Sequence, residues 1–164
     1  MQQPSRLLKR NPPPLTKQEQ GNSSSKAEPT SDSGVGGSSL DTMVAACAVE
    51  LMNARNSFHK LHLKVTGEGS YAAHKALNEL YDAIPDFVDT LMEGYQGAAE
   101  KILMCKDVSP RTIEDVADAI AYLREIYAMI NKLQAKLPYS EIVNNLDLVK
   151  DAINSTKYKL LFLK

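Results

Sequence analysis

The stretch HKLHLKVTGEGSYAAHKALNELYDAIPDFVDTLME, residues 59–93, holds two segments with helical apolar spacing and a glycine-bearing turn between them. Histidines occur on both segments, at His62 and His74, and carboxylates follow on the second, at Asp89 and Glu93. Imidazole and carboxylate together form a ligand set suited to iron or zinc. Whether these four side chains meet in space decides what the stretch can do.

Apolar residues at three-and-four spacing predict four helices along residues 40–164. Helix A is expected from about residue 39 to Val65, and helix B opens with Ser70 as its N-cap. Helix B is expected to reach about residue 105, with a kink or break near Ala83 because Pro85 interrupts it. Ser109 as N-cap and proline at the next position predict the start of helix C, and Ser140 opens helix D. Four amphipathic helices with short connections predict an all-α, antiparallel four-helix bundle.

Residues 1–39 are expected to form a disordered tail. Residues 1–40 carry eight serines, five prolines, four glycines and no aromatic residue, so they cannot bury enough apolar surface to offset chain entropy. Four basic residues in this tail predict a nonspecific contact with DNA phosphates. They are Arg6, Lys9, Arg10 and Lys17. The alternative is a tail that only solubilises or tethers the bundle.

The net charge of −1 gives no whole-chain electrostatic argument for nucleic acid or membrane. No apolar run reaches membrane-spanning length, and the first residues lack the apolar core of a secretory signal. Cys47 and Cys105 have no metal-ligand spacing and are expected to be buried free thiols. A reducing, cytoplasmic setting is therefore expected. The sequence also lacks the glycine-rich nucleotide loops, the GxSxG elbow, and any Glu with His three residues on.

Helix B carries an acidic line whose members fall within about 60° of arc. They are Asp82, Asp86, Asp89 and Glu93. Like charges at three-and-four spacing weaken a helix, and no lysine lies between Lys75 and Lys101 to offset them. A cation or a basic partner surface would remove that cost.

The two ends of helix B are too far apart for one copy to close a four-ligand site. His74 and Glu93 are separated by about 28 Å at 1.5 Å per residue. If all four ligands bind one ion, two copies of helix B must therefore pass each other antiparallel across a dimer interface.

The helix A–helix B segment resembles the signature of the Dps family, the DNA-binding proteins from starved cells or mini-ferritins. The positions that carry the resemblance are His62, Gly67, Tyr71, His74, Leu80, Tyr81, Asp89 and Glu93. Asn78 stands where family members often place an acid. The resemblance covers helices A and B only.

The resemblance implies a ferritin-like bundle that forms a dimer-based homo-oligomer, with a shell of twelve subunits in the family. It implies iron held by His62 and His74 of one chain and by Asp89 and Glu93 of the other. The implied activity is that of a ferroxidase, which oxidises Fe(II) with peroxide or dioxygen and stores ferric mineral, with DNA protection as an added role. Weaker candidate ligands are Asn78, His59, Asp82 and Asp86.

Three alternatives stay open at this point. The first is a non-catalytic ferritin-like structural or interaction protein of a virion or other large assembly, in which the histidines bond helix ends and the acids pair with lysines. The second is structural zinc without redox turnover. The third concerns single residues: His59 is either a third imidazole or, as favoured, a surface residue. Tyr71 and Tyr81 are expected to pack in the core or at an interface rather than relay electrons.

Overall fold

A computed structural model describes residues 39–163 as four helices, which confirms the all-α four-helix prediction. They are α1 (Ser39–His62), α2 (Ser70–Ala99), α3 (Val116–Gln134) and α4 (Ser140–Phe162). Residues 1–38 of the predicted tail, with its four basic residues, lie outside the described residues, whereas Ser39 is the first residue of α1. None of the helices in this part of the chain is long and apolar enough to cross a membrane.

One apolar stripe from each helix forms a single core, as the three-and-four spacing predicts. The largest fully buried side chains come from all four helices. They are Tyr122, Phe58, Leu51, Leu61, Leu77, Ile84, Leu91, Leu123, Ile130, Leu133, Ile142 and Leu146. Phe58 of α1 and Tyr122 of α3 meet with ring centroids 5.5 Å apart.

The direction of each helix follows from the contacts at its ends. Tyr95, near the end of α2, donates a 2.6 Å hydrogen bond to Asp41 at the start of α1, so α1 and α2 are antiparallel. Val116, the first residue of α3, lines the same cavity as Ser70, the first residue of α2, so α3 runs parallel to α2. Tyr139, which precedes α4, packs on Tyr95 with centroids 6.0 Å apart, so α4 returns antiparallel to α2. A bundle with one long crossover has the connectivity of ferritin-like folds.

The crossover, residues 100–115, returns the chain along the whole of α2 without forming a helix. The 30 residues of α2 are about 45 Å long at 1.5 Å per residue. Between Ala99 and Val116 the chain must therefore advance roughly 2.6 Å per residue along α2. That advance is closer to the value for an extended chain than to the value for a helix. The predicted short connection is therefore wrong, as is the extension of helix B to residue 105.

The start of α3 also differs from the prediction. Ser109 and Pro110 carry a helix-start pattern, but both lie in the non-helical crossover. The N-cap of α3 is Asp115. The Asp115 carboxylate accepts a 2.9 Å hydrogen bond from the Asp118 amide. The Asp118 carboxylate in turn accepts one from the Glu114 amide at 3.0 Å, so two free amide groups at the helix start are satisfied reciprocally.

Arg111 fastens the crossover to the bundle. Its guanidinium donates a 2.6 Å hydrogen bond to Glu125 of α3 and lies over the ring of Tyr122, 4.3 Å from the centroid. Its backbone carbonyl accepts a 2.5 Å hydrogen bond from the Ser57 hydroxyl of α1. One residue thus connects the crossover to two helices.

Three smaller boundary predictions are corrected. Helix α1 ends at His62 rather than Val65, because the turn that follows places Gly67 and Gly69 at φ +86° and +74°, which favour glycine. Gly69, rather than Ser70, is the N-cap of α2. Pro85 does not break α2: a proline removes one helical hydrogen bond, and the buried Ile84 and Val88 on either side hold the helix against the core.

The two cysteines have different environments. Cys47 is buried, as predicted, whereas Cys105 is exposed on the crossover, where the sequence predicted a buried position. Burial, with a smaller contribution from the nearby charge of Glu50, raises the pKa of the Cys47 thiol to about 12. Cys47 is therefore an inert thiol at neutral pH.

We expect Asp115→Ala to lower the free energy of unfolding by about 1 kcal/mol, because it removes the side-chain cap of α3. Ser109→Ala should change it by less than about 0.5 kcal/mol, because Ser109 lies exposed in the crossover. Urea unfolding followed by circular dichroism measures both. A larger loss from Ser109→Ala than from Asp115→Ala would place the helix start where the sequence alone suggested.

We expect a thiol reagent at pH 8 to modify only Cys105 in the native protein and both cysteines after unfolding in urea. Cys105→Ser should abolish the native reaction, and Cys47→Ser should leave it unchanged. The raised pKa also sets a sign for pH dependence: above about pH 9 the unfolded chain loses the Cys47 proton first, so stability falls as pH rises. Rapid native labelling of two thiols would contradict the buried position.

Candidate metal centre

The two predicted histidine ligands lie at the turn that joins α1 to α2. His62 is the last residue of α1 and is 7% exposed, whereas His74, in the second turn of α2, is exposed. The turn between the helices brings their rings into stacking contact, with centroids 3.7 Å apart and planes 25° apart. The structure therefore brings together the two imidazoles that the sequence singled out.

Each imidazole bonds the backbone of the other. Nδ1 of His62 donates to the carbonyl of His74 at 2.9 Å, and Nδ1 of His74 donates to the carbonyl of His62 at 3.1 Å. A carbonyl can only accept, so both Nδ1 atoms carry the proton when the rings are neutral, and both Nε2 atoms keep a lone pair. Metal-binding histidines are commonly held in this way, with one nitrogen donating to a carbonyl and the other bound to the ion.

Tyr81 and His59 complete the ring cluster. The Tyr81 ring stacks on His59 at 4.4 Å and meets His62 edge-on at 5.2 Å, while the His59 and His62 centroids are 6.0 Å apart. His59 is half-buried, so it is not the free surface residue favoured from the sequence. Tyr81 packs as predicted, whereas the Tyr71 side chain is exposed and is no part of the core.

The polar side chains next to this cluster are already partnered. The Tyr81 hydroxyl donates to Oδ1 of Asn78 at 2.9 Å, and Nδ2 of Asn78 donates to Asp82 at 2.7 Å. Asn78 thus uses its oxygen within the chain, which leaves it little capacity as a ligand. This contact is visible as a spacing, because Tyr81 follows Asn78 by three residues, which is close to one helical turn.

The predicted acidic ligands lie farther along α2. Asp89 and Glu93 are exposed, as is Asp86, and no carboxylate of the three forms a hydrogen bond or ion pair with another residue in the range 39–163. The helix is continuous between His74 and Glu93 and holds these two residues about 28 Å apart. No group of three or more His, Cys, Asp or Glu side chains within the described residues is placed to hold a metal ion. Within one chain the two histidines thus lie at one place and the two carboxylates at another.

The sequence pointed to no role for Arg111 or for its partners. They come from positions scattered over α1, the crossover and α3, so no local spacing marks them. Their arrangement is a structural clamp at the α1–α3 side of the bundle, away from the histidine pair on α1 and α2.

Residues 62–160 match the model of a family of unknown function, DUF5856. This span is more than half of the chain. The chain belongs to that family. The matched residues begin at His62 and include the imidazole pair, the acidic line of α2, the crossover and almost all of α4. No curated protein matches the chain.

We expect long-range ¹⁵N–¹H NMR spectra at pH 9 to show both His62 and His74 as the Nδ1–H tautomer, because each Nδ1 donates to a carbonyl. His59 serves as the reference within the chain, since its ring forms no hydrogen bond with any residue in the described range. His74→Ala should remove the hydrogen bond that the exposed His74 ring donates to the carbonyl of His62, and it should leave the fold intact. An Nε2–H tautomer at either position would remove the argument for a preset ligand pair.

Proposed function

We propose that this protein binds Fe(II) between two copies of the chain and oxidises it, with storage of the ferric product in a homo-oligomer. The observation that supports the proposal is the exchange of hydrogen bonds between His62 and His74. It leaves the Nε2 lone pair of each ring unused at one end of α2, while two unpaired carboxylates stand at the other end.

An antiparallel second copy supplies what one chain lacks. It would place Asp89 and Glu93 of the second copy beside His62 and His74 of the first, and two-fold symmetry makes the same site twice. Two imidazoles suit Fe(II), and two carboxylates favour the harder Fe(III), so the set assists loss of an electron. The crossover connectivity of the bundle agrees with the ferritin-like fold that the resemblance implies.

The reaction with peroxide balances without a further reactant. Two Fe(II) substrates each give one electron, the peroxide O–O bond breaks, and two hydroxide ions form. The role of the chain is to bind the substrate ion, to fix the imidazoles through their Nδ1 atoms and to supply negative charge where the ion gains positive charge. Dioxygen is the alternative oxidant. Zinc at the same ligands would bind without turnover.

Closure into a twelve-subunit shell and a DNA contact through the tail belong to the proposal as predictions from the resemblance. The second candidate is a non-catalytic part of a virion or other large assembly. Exposed apolar side chains near the turn between α1 and α2 favour it, because such groups mark contact surfaces. They include Leu63 and Tyr71, which are 73% and 78% exposed.

We expect wild-type protein to bind Fe(II) saturably under anaerobic conditions and to form ferric absorbance rapidly when peroxide is added. Asp89→Ala/Glu93→Ala should weaken binding at least about tenfold and slow oxidation to the rate in buffer, because it removes both carboxylate ligands. Asp107→Ala/Asp151→Ala removes the same charge from exposed positions on the crossover and α4, and should behave as wild type.

Circular dichroism of each variant separates loss of the site from loss of the fold. Oxidation by wild type at the rate seen in buffer, with no bound iron, would contradict the proposal and favour the assembly role.

A further inference from the structure

The exposed face of α1 and α2 has opposite charge character at its two ends. At the end near the turn lie two exposed lysines, Lys60 and Lys75, with the imidazoles. Beyond Asn78 the charged residues of α2 are all acidic, since α2 has no basic residue between Lys75 and its end at Ala99. A second copy related by a two-fold axis would place basic end against acidic end twice, so this face is complementary in charge to itself.

One register of that pairing satisfies two contacts at once. When two copies of one helix pack antiparallel, the residue numbers of any two residues that face each other add up to the same total. The register that puts His74 opposite Glu93 of the second copy also puts Asn78 opposite Asp89 of the second copy. Its centre lies between Ala83 and Ile84, in the middle of α2.

The same register brings four carboxylates together at that centre. Asp82 and Asp86 lie about 2 and 4 Å from the centre along the helix, and symmetry doubles them. Both side chains are exposed, and neither forms an ion pair with any described residue. Asn78 is the one hydrogen-bond partner of Asp82 in this part of the chain, at 2.7 Å, and it carries no charge. Like charges opposite one another oppose association.

We propose that a divalent cation controls assembly of this face: the α1–α2 face pairs with the same face of a second copy only when the ion is bound. The inference rests on the proposed function, since the ion is held by the ligands named there. Without the ion, attraction at the ends is opposed by four carboxylates at the centre. With it, the ion links a ligand pair of each copy at both ends of the seam, about 14 Å from the centre, and this added attraction outweighs the central repulsion.

Sedimentation velocity of the full chain at fixed ionic strength tests this, with Mn(II) as an air-stable substitute for Fe(II). We expect wild type to be monomeric in EDTA and dimeric or larger in Mn(II). Asp82→Asn/Asp86→Asn keeps side-chain size but removes the central charge, and should tighten association in EDTA at least about tenfold. Asp107→Asn/Asp151→Asn, with the same charge change elsewhere, should follow wild type.

The outcomes separate the two proposals because Mn(II) binding is measured independently by electron paramagnetic resonance. A wild-type dimer in EDTA overturns cation control and leaves iron binding standing. Bound Mn(II) without association overturns it as well. A double Asn variant that stays monomeric in EDTA shows that the central carboxylates do not oppose pairing. No bound Mn(II) at all removes the proposed function together with this inference.

Discussion

The length of the crossover constrains the rest of the structure. Sixteen residues, 100–115, return the chain from the end of α2 to its start, and over that distance they have room for extended backbone but for little helix. Because the chain returns, α3 begins beside the turn that joins α1 to α2 and runs parallel to α2. A connection of three or four residues would have reversed α3 and α4 and changed which apolar stripes meet. Arg111 holds the returning chain in place through Glu125, Tyr122 and Ser57.

The same topology places the histidine pair on the α1–α2 side of the bundle, where His74 is open to solvent. Within the described residues, the ring contacts of His62 and His74 are all with residues of α1 and α2, namely His59, Tyr81 and each other. His62 is buried by its neighbours in the hairpin, yet His74 is exposed, so an ion or a second chain can reach the pair.

The sequence predicted what depends on local pattern. The four helices and the start of α4 at Ser140 follow from apolar periodicity and helix-start signals. The meeting of His62 with His74 is what the resemblance implies, and the periodicity alone leaves it open. The sequence failed where a distant requirement outweighed a local signal. Ser109 and Pro110 carry a good helix-start pattern, but the chain has to reach the far end of α2, and Asp115 caps the helix instead. Pro85 is a good helix breaker, but loss of one hydrogen bond is outweighed by burial of Ile84 and Val88.

The bond from His74 to the carbonyl of His62 also ties ligand binding to the stability of the hairpin. That carbonyl belongs to the last turn of α1, where helix geometry leaves acceptors without partners, and an imidazole from another helix satisfies it. Any ion that holds both Nε2 atoms must favour the conformation in which both Nδ1 atoms keep their bonds. By thermodynamic linkage, free ion at a hundred times its dissociation constant would add about 2.7 kcal/mol to the free energy of unfolding. The melting temperature of the bundle would then rise with the concentration of free metal ion.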